Sequence, residues 1–572
     1  MFKLMTVLAL AMSALFFSSQ ALAQGANGTP RSRPMMKHVA PTFGSNPLLS
    51  AFSEEGDDAT SISLDPTLSA LCQDFLGQPN PYANPAPNVD AIVNDAVVQT
   101  GSQTGCSSAQ NETTIDVNPN NPTNLVAGAN DYRLFNTREN RNDSTAVAYT
   151  SANGGATWTN VVLPHLNFPT GATGPLSAMD AAGDPAVAFG PNNTVYYANI
   201  AFSRVPSGNQ LPSAIVVSKS TDGGLTWGDP SIVQLDGVDS SGNPVTTPFF
   251  NDKEWIAVDP ASGAVYVTWT RYAFDSSGNF IRSPIVVSKS TDGGTTWSPF
   301  VEVNGTFVNG VTPYSQGSNP KVGRNGDLYI AYETSICQTL ACNQPTDHDA
   351  TVVAKSTNGG STFTNTVVGT NFDFPFNEDT GTLALTGENF RINSYPQLSI
   401  DSKTGRLYVT WADDRNGQYA ADGESIKSDG DVLLSTSANG TAWTKLYTIG
   451  SSADEVFPAV AAYNARFVVS YYTRAYDPNG INLDFAYTSA TGLPNNLPNP
   501  TRITTESQNP QVQFVGIGLQ SGTVLQGEFI GDYTGVTLGS DLVAHPMWTD
   551  FRGRPGVNTP NQDAYTQAIP LK

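Results

Sequence analysis

The sequence predicts an all-β β-propeller of seven four-stranded blades, with six the alternative, and a ring closed by an N-terminal strand. Three observations carry that expectation. One short motif returns five times, as Ser151-Ala-Asn153-Gly-Gly-Ala-Thr-Trp158, Ser220-Thr-Asp222-Gly-Gly-Leu-Thr-Trp227, Ser290-Thr-Asp292-Gly-Gly-Thr-Thr-Trp297, Ser356-Thr-Asn358-Gly-Gly-Ser-Thr-Phe363 and the looser Ser437-Ala-Asn439-Gly-Thr-Ala-Trp443. The aromatic ends of the first three copies stand 69 and 70 residues apart. The composition is rich in turn formers and poor in charge, with 51 Gly, 39 Pro and 14% charged residues in a chain of 572, which favours strands and turns over helices. A motif at a fixed period marks one supersecondary unit built several times.

Each part of the motif has a structural task. Asp or Asn accepts hydrogen bonds from nearby amides. The glycines permit positive φ, and the Trp or Phe supplies a large apolar surface between layers. Around the second copy, Pro185–Phe189 reads as a first strand, Gly190-Pro-Asn-Asn193 as a turn, and Thr194–Phe202 as a second strand. Ala214–Ser218 reads as a third, and a fourth follows the Asp222 turn and carries Trp227. The same order recurs from Glu254, Pro320, Pro396 and Pro458, with a first unit from about Thr113 and a last from about Thr534. Short strands at even spacing with repeated turns are the signature of a propeller, which protects sheet edges by radial repetition.

The flanking regions complete the reading. Met1-Phe-Lys3, an apolar stretch to Phe17 and Ala21-Leu22-Ala23 form a signal-peptide pattern over residues 1–23, so a secreted or periplasmic protein is expected. Residues 24 to about 110 read as an irregular leader, and residues 111–572 as the propeller. Within the leader, Val89–Val98 is a candidate strand. The last unit ends with Asp563–Gln567 and lacks an outer strand, which Val89–Val98 is expected to supply. Cysteines 72, 106, 337 and 342 suit disulfides after export. Sequence proximity suggests Cys72–Cys106 and Cys337–Cys342 among three connectivities.

The repeated motif resembles the Asp-box, or BNR repeat, of the sialidase-like propellers, over roughly residues 112 to 572. That resemblance implies a secreted sialidase-like glycoside hydrolase acting on extracellular glycans. It equally admits a noncatalytic propeller that binds glycan or protein, because one fold hosts many functions. Sialidases of the family have six blades, whereas seven units are counted here. They use three arginines for the sugar carboxylate, a Tyr paired with Glu as nucleophile, and an Asp as acid/base. By position, the resemblance points to Arg133, Arg415 and Arg552 for the arginines, Tyr533 or Tyr395 for the nucleophile, and Asp252 or Asp184 for the acid. The family's early Phe/Tyr-Arg-Ile-Pro signature is missing. Phe390-Arg391-Ile392-Asn393 is similar to it, mid-chain and without the Pro.

Strand alternation puts the loops before strand one and between strands two and three on the face opposite the repeated turns. Before strand one the units carry Glu112, Asp184, Lys253, Asn319, Tyr395, Phe457 and Tyr533. At the end of strand two, Asp131-Tyr-Arg133, Asp413-Asp-Arg415 and Asp550-Phe-Arg552 share Asp-x-Arg, Arg271 and Arg474 replace the Asp, Arg204 ends another strand, and Glu333 stands alone. Arginines in a row can bind a carboxylate through paired hydrogen bonds. The candidate binding set is therefore Arg133, Arg271, Arg415, Arg474, Arg552 and Lys253. Recurrence is also what a structural ion pair shows, whereas a catalytic group need occur only once. The one-off residues Lys253, Glu254, Tyr395, Asp532 and Tyr533 thus join Asp252 as the sharper candidates, since two facing carboxyls can do glycosidic acid/base work.

A net charge of −22 argues against nucleic acid as a partner, since phosphate binding needs basic surface, and no segment is long and apolar enough for membrane insertion. The expected partner is a glycan or glycoprotein. No cofactor or metal motif is present. Structural calcium is admitted by the acidic loops Asp236-Gly-Val-Asp239, Asp275-Ser-Ser-Gly-Asn279 and Asp429-Gly-Asp431. Among the four histidines there is no His-Glu-x-x-His site, and His545, in an apolar strand, reads as packing.

Overall fold

Seven antiparallel sheets stand around one axis in this computed structural model. It describes residues 28–35, 87–92, 96–100, 103–106, 109–139, 141–204, 210–305, 310–514, 516–552 and 561–571. Blades 1 to 3 run, strand by strand, Gln110–Val117, Leu125–Asn136, Arg141–Ser151 and Thr159–Val162; Ala181–Phe189, Val195–Phe202, Ser213–Ser220 and Ser231–Asp236; and Phe249–Val258, Val265–Phe274, Ile285–Ser290 and Val301–Glu302. Blades 4 to 6 repeat this with inner strands Ser315–Val322, Gln397–Ile400 and Glu455–Tyr463. Blade 7 has Gly535–Leu538, Val543–Asp550 and Asp563–Thr566, flanked by Val89–Asp90. Inner strands of successive blades touch all the way round, blade 7 meeting blade 1, so the ring is closed.

Val89 pairs with Thr566 and Asp90 with Tyr565. The strand there is two residues long, not the ten of Val89–Val98; Ala96–Thr100 pairs instead with Gln103–Cys106. The signal-peptide pattern and Cys72 fall outside the described residues, and Cys337–Cys342 is a disulfide. Among the described residues no helix is long and apolar enough to cross a membrane.

The five repeated turns join strands three and four. In the second, Ser220 Oγ donates to Asp222 Oδ1 at 2.7 Å and accepts from Gly224 N at 2.9 Å. Asp222 Oδ1 accepts from Leu225 N and Thr226 N, and Trp227 Nε1 donates to Gly224 O. Gly224 has φ +95°, and a β-carbon there would lie 2.5 Å from Val126 of the preceding blade, so glycine is needed for both backbone and space. The Trp then packs between blades: Trp227 shares a core cluster with Val126, Ala146 and Ala148 of blade 1 and lies edge-on to Tyr197 of its own blade. Strand two of blades 3, 5 and 7 buries Trp269, Trp411 and Trp548 fully, each contributing roughly 2–3 kcal/mol.

Five inner strands share one distortion. Between Asn111 and Thr114, Gly183 and Ala186, Asp252 and Trp255, Gln316 and Asn319, and Val456 and Ala459 the register shifts. The residue after the first of each pair is left-handed: Glu112, Asp184, Lys253, Gly317 and Phe457, with φ between 49° and 67°. Gly317, not Asn319, is thus the blade 4 counterpart. Holding a non-glycine residue there costs about 1–2 kcal/mol, so four of these bulges are strained, and the bend turns each side chain out of the sheet's alternation.

Two long connections cross the face opposite the repeated turns. Residues 372–396 lead from blade 4 to blade 5, and residues 503–534 from blade 6 to blade 7. They are tied together where Asn389 Nδ2 donates to Gln526 O, Gln511 Nε2 to Glu388 Oε2, and the amides of Gln520 and Ser521 to Asp379. Residues 28–35 lie over blades 4 and 5, with Arg33 on Glu424 and Met35 N on Asp349.

Candidate functional site

The bulges in blades 1, 2 and 3 aim their side chains at one point on the axis. Lys253 Nζ lies 3.3 Å from Glu112 Oε1, 3.0 Å from Asp184 Oδ2 and 2.7 Å from Asp532 Oδ2. Asp532, just ahead of blade 7, also takes a two-pronged bond from Arg391 of the blade 4–5 connection, Nε to Oδ1 at 2.7 Å and Nη2 to Oδ2 at 2.6 Å. Asn130 and the Asp532 amide donate to Glu112. Five segments of the ring therefore meet in one ion cluster. It lies beneath the crossing connections, with Lys253 4% and Glu112 and Asp184 0% exposed.

Burial and charge divide the carboxyls. Burial opposes ionisation of Asp532, but Arg391 and Lys253 hold it down to about 2. Burial, reinforced by Asp184, pushes Glu112 well up. Burial, then Asp184, does the same to Glu254, whose two carboxyl oxygens are buried without a hydrogen-bond partner. Burial opposes the charge on Lys253, yet Asp184, Asp532 and Glu112 raise its ammonium well above the usual lysine range. The cluster thus sets Asp532, whose ionised form Arg391 and Lys253 favour, beside Glu112 and Glu254, whose ionisation burial and Asp184 oppose. Tyr533 lies against it, its phenol pushed up by burial and by Glu112, Asp184 and Glu254. Its hydroxyl donates to Pro185 O, and its ring meets Trp255 edge-on at 5.0 Å.

Lys253, Glu254, Asp532 and Tyr533 are accordingly brought together. Asp252 lies next to them in sequence and accepts from Gln316 Nε2. Tyr395 covers Gly317, where a β-carbon would lie 2.4 Å from its ring. Arg391 and Glu112 complete the centre. Arg391 stood in the Phe-Arg-Ile segment and Glu112 in the aligned first-strand positions, but nothing in one sequence says that a connection from blade 4 reaches the axis.

The arginines sit elsewhere and are engaged. Arg133, Arg415 and Arg552 each turn back onto the Asp two residues earlier, Nε and Nη2 gripping Asp131, Asp413 and Asp550 at 2.6–2.8 Å. Each Asp is fully buried. Arg271 grips Asp236 of the preceding blade and stacks on Phe249. Arg474 bonds Asp454 and Glu388, and Arg204 bonds Asp143 across the blade 1–2 boundary.

A second set of acids lies at blades 4 and 5. Burial raises Glu333 to about 8, Asp349 to about 7 and Asp414 to about 8. Asp349 accepts from Met35 N and Ser335 Oγ. Sequence gave no sign of Asp349, whose partner Met35 comes from a distant segment, whereas Asp414 stands inside the Asp413–Arg415 motif and is bonded by Ser425 and Asp429 of its own blade. Among the described residues one grouping has metal-ligand spacing, Cys337, Cys342 and Asp347, and its thiols are joined as the disulfide. In the acidic loops, Asp239 and Asp275 accept from amides of their own turns.

No protein-family model matches the chain, and no curated protein does. Among solved structures it is similar to polysaccharide lyase Uly1 (12% identity, 87% of this chain and 100% of that one, TM-score 0.42). It is also similar to the Hadza microbial sialidase Hz136 (12% identity, 78% and 73%, TM-score 0.40) and to the Penicillium chrysogenum alpha-L-arabinanase complexed with arabinobiose (15% identity, 64% and 94%, TM-score 0.36). The likeness is one of architecture.

Proposed function

We propose that the chain is a secreted propeller that binds glycans without sialidase chemistry. One observation carries this reading: every candidate cation is already neutralised by the protein's own carboxylates. A carboxylate clamp needs guanidinium forks open to the ligand. Here a sugar acid would have to displace a buried Asp from each Arg, leaving that Asp uncompensated. That glycans are the ligand class rests on the resemblance of the repeated turns to Asp-boxes.

The test is release of 4-methylumbelliferone from its sialoside and from a panel of neutral glycosides, alongside binding to immobilised glycans. The expected result is glycan binding without turnover. Sialoside cleavage that disappears in Arg133→Ala, Arg415→Ala and Arg552→Ala would overturn it.

A second reading, a glycoside hydrolase acting on uncharged glycans, is favoured by Glu112 and Glu254. Acids whose ionisation burial opposes, beside an Asp532 whose ionised form Arg391 and Lys253 favour, are the division of labour that glycosidic acid/base catalysis uses. It predicts neutral-glycoside turnover that Glu254→Gln abolishes while the fold is kept.

A further inference from the structure

The central channel continues below the ion cluster to the face of the repeated turns. The geometry points to this lower channel as a binding site for a small oxyanion, a carboxylate or phosphate, held by Lys321. The site is separate from the one above: Trp255 lines the channel, and its contact with Tyr533 stands between the two.

The cavity measures about 310 Å³ and is walled by the inner strands of all seven blades. It carries two charged side chains, Asp116 and Lys321. Asp116 is already satisfied, with Phe189 N at 2.8 Å and Val117 N at 2.9 Å donating to it and Thr537 Oγ1 at 3.4 Å. Lys321 has neither a hydrogen bond nor an ion pair, although Lys253 above has three carboxylates. The two charges come from blades 1 and 4 and feel each other across the channel. Burial lowers the Lys321 ammonium, and Asp116 offsets this only in part.

A half-buried ammonium with no protein partner is less favourable than a paired one, and an anion in the channel would relieve it. The inner strand is the terminal strand of every blade, so one edge of each faces the axis and presents backbone groups to a ligand. Gln397 and the indole of Trp255 add a polar amide and an apolar face. One cation, edge amides and one aromatic wall suit a ligand with a single anionic group and a small body.

The experiment is calorimetric titration of the full-length mature chain with sodium acetate, sodium glucuronate and inorganic phosphate at constant ionic strength, repeated on Lys321→Met. One of the three is expected to saturate at one site, and Lys321→Met to weaken it roughly tenfold or more. Glucuronate above acetate marks a sugar acid, and phosphate alone marks a phosphate ligand. Lys321→Arg, which keeps the charge, should retain binding, and Lys321→Gln replaces the Met variant should that fail to fold. No saturable binding of any of the three, or equal binding by the wild type and the uncharged variant, overturns the proposal.

Discussion

Replacing Lys253 by Met removes the one ammonium that Glu112, Asp184 and Asp532 share. The side chain keeps its length and loses its charge. Asp532 retains Arg391, but the other two carboxyls keep no cation within ion-pair distance. Breaking a buried ion pair from one side costs about 3–5 kcal/mol. A large domain loses about 2 °C of Tm per kcal/mol, so a fall of roughly 6–10 °C is expected at pH 8. The loss must depend on pH. Without Lys253, which opposes the rise, the folded-state pKa of Glu112 moves further above its unfolded value. The folded variant then binds more protons than the unfolded chain, and its stability recovers as pH falls toward 5. Calorimetry of wild type and Lys253→Met at pH 5 and pH 8 measures both effects, and Glu112→Gln in the Met background should restore part of the loss. A Met variant as stable as wild type at pH 8, or one with the same deficit at both pH values, would show that Lys253 does not hold these carboxyls.

The other buried acids predict the pH profile of the wild type. Glu333, Asp349, Asp414, Asp431 and Glu455 are raised by burial to about 8, 7, 8, 6 and 7, so between their unfolded values and these the folded state holds extra protons. Stability should fall as pH rises from 5 to 8, and Tm scans giving a higher value at pH 8 would contradict this. Asp532, held at about 2, works the other way, and its contribution disappears in strong acid. Trp227→Ala should cost about 3–5 kcal/mol, because the indole is 9% exposed and wedged against Tyr197; chemical denaturation checks it. Arg415→Ala and Arg552→Ala should each lower Tm and leave glycan affinity unchanged, since each strands a buried Asp; a glycan-array signal that falls in step with the missing guanidinium would show that these arginines bind ligand.

The sequence made the blade legible because the blade is local. The turn at Ser220–Trp227 closes with its own atoms, so each copy announces itself. Asp-x-Arg was equally readable as a clamp, since Arg133 turns back onto Asp131 two residues earlier. The centre was legible in part: Lys253, Glu254, Asp532 and Tyr533 stood out because no other blade repeats them. What escaped was long-range. Arg391 meets Asp532 only because residues 372–396 cross the face, and no period encodes that crossing. The shared bulge was also misaligned in blade 4, where Gly317 rather than Asn319 is left-handed, because a bulge adds a residue that alternation cannot place. Val89–Val98 shrank to a two-residue pairing, since its alternation does not reveal where the partner strand ends.

The lysine on the axis is a closed, saturated tie rather than an open catalytic or binding group. Reductive methylation of the native protein at pH 8, read lysine by lysine by mass spectrometry, tests it directly. Lys253, 4% exposed and held by three carboxylates, should stay unmodified while a surface lysine such as Lys403 is modified. Modification of Lys253 at the rate of Lys403 in the folded protein would show the axial ammonium to be open.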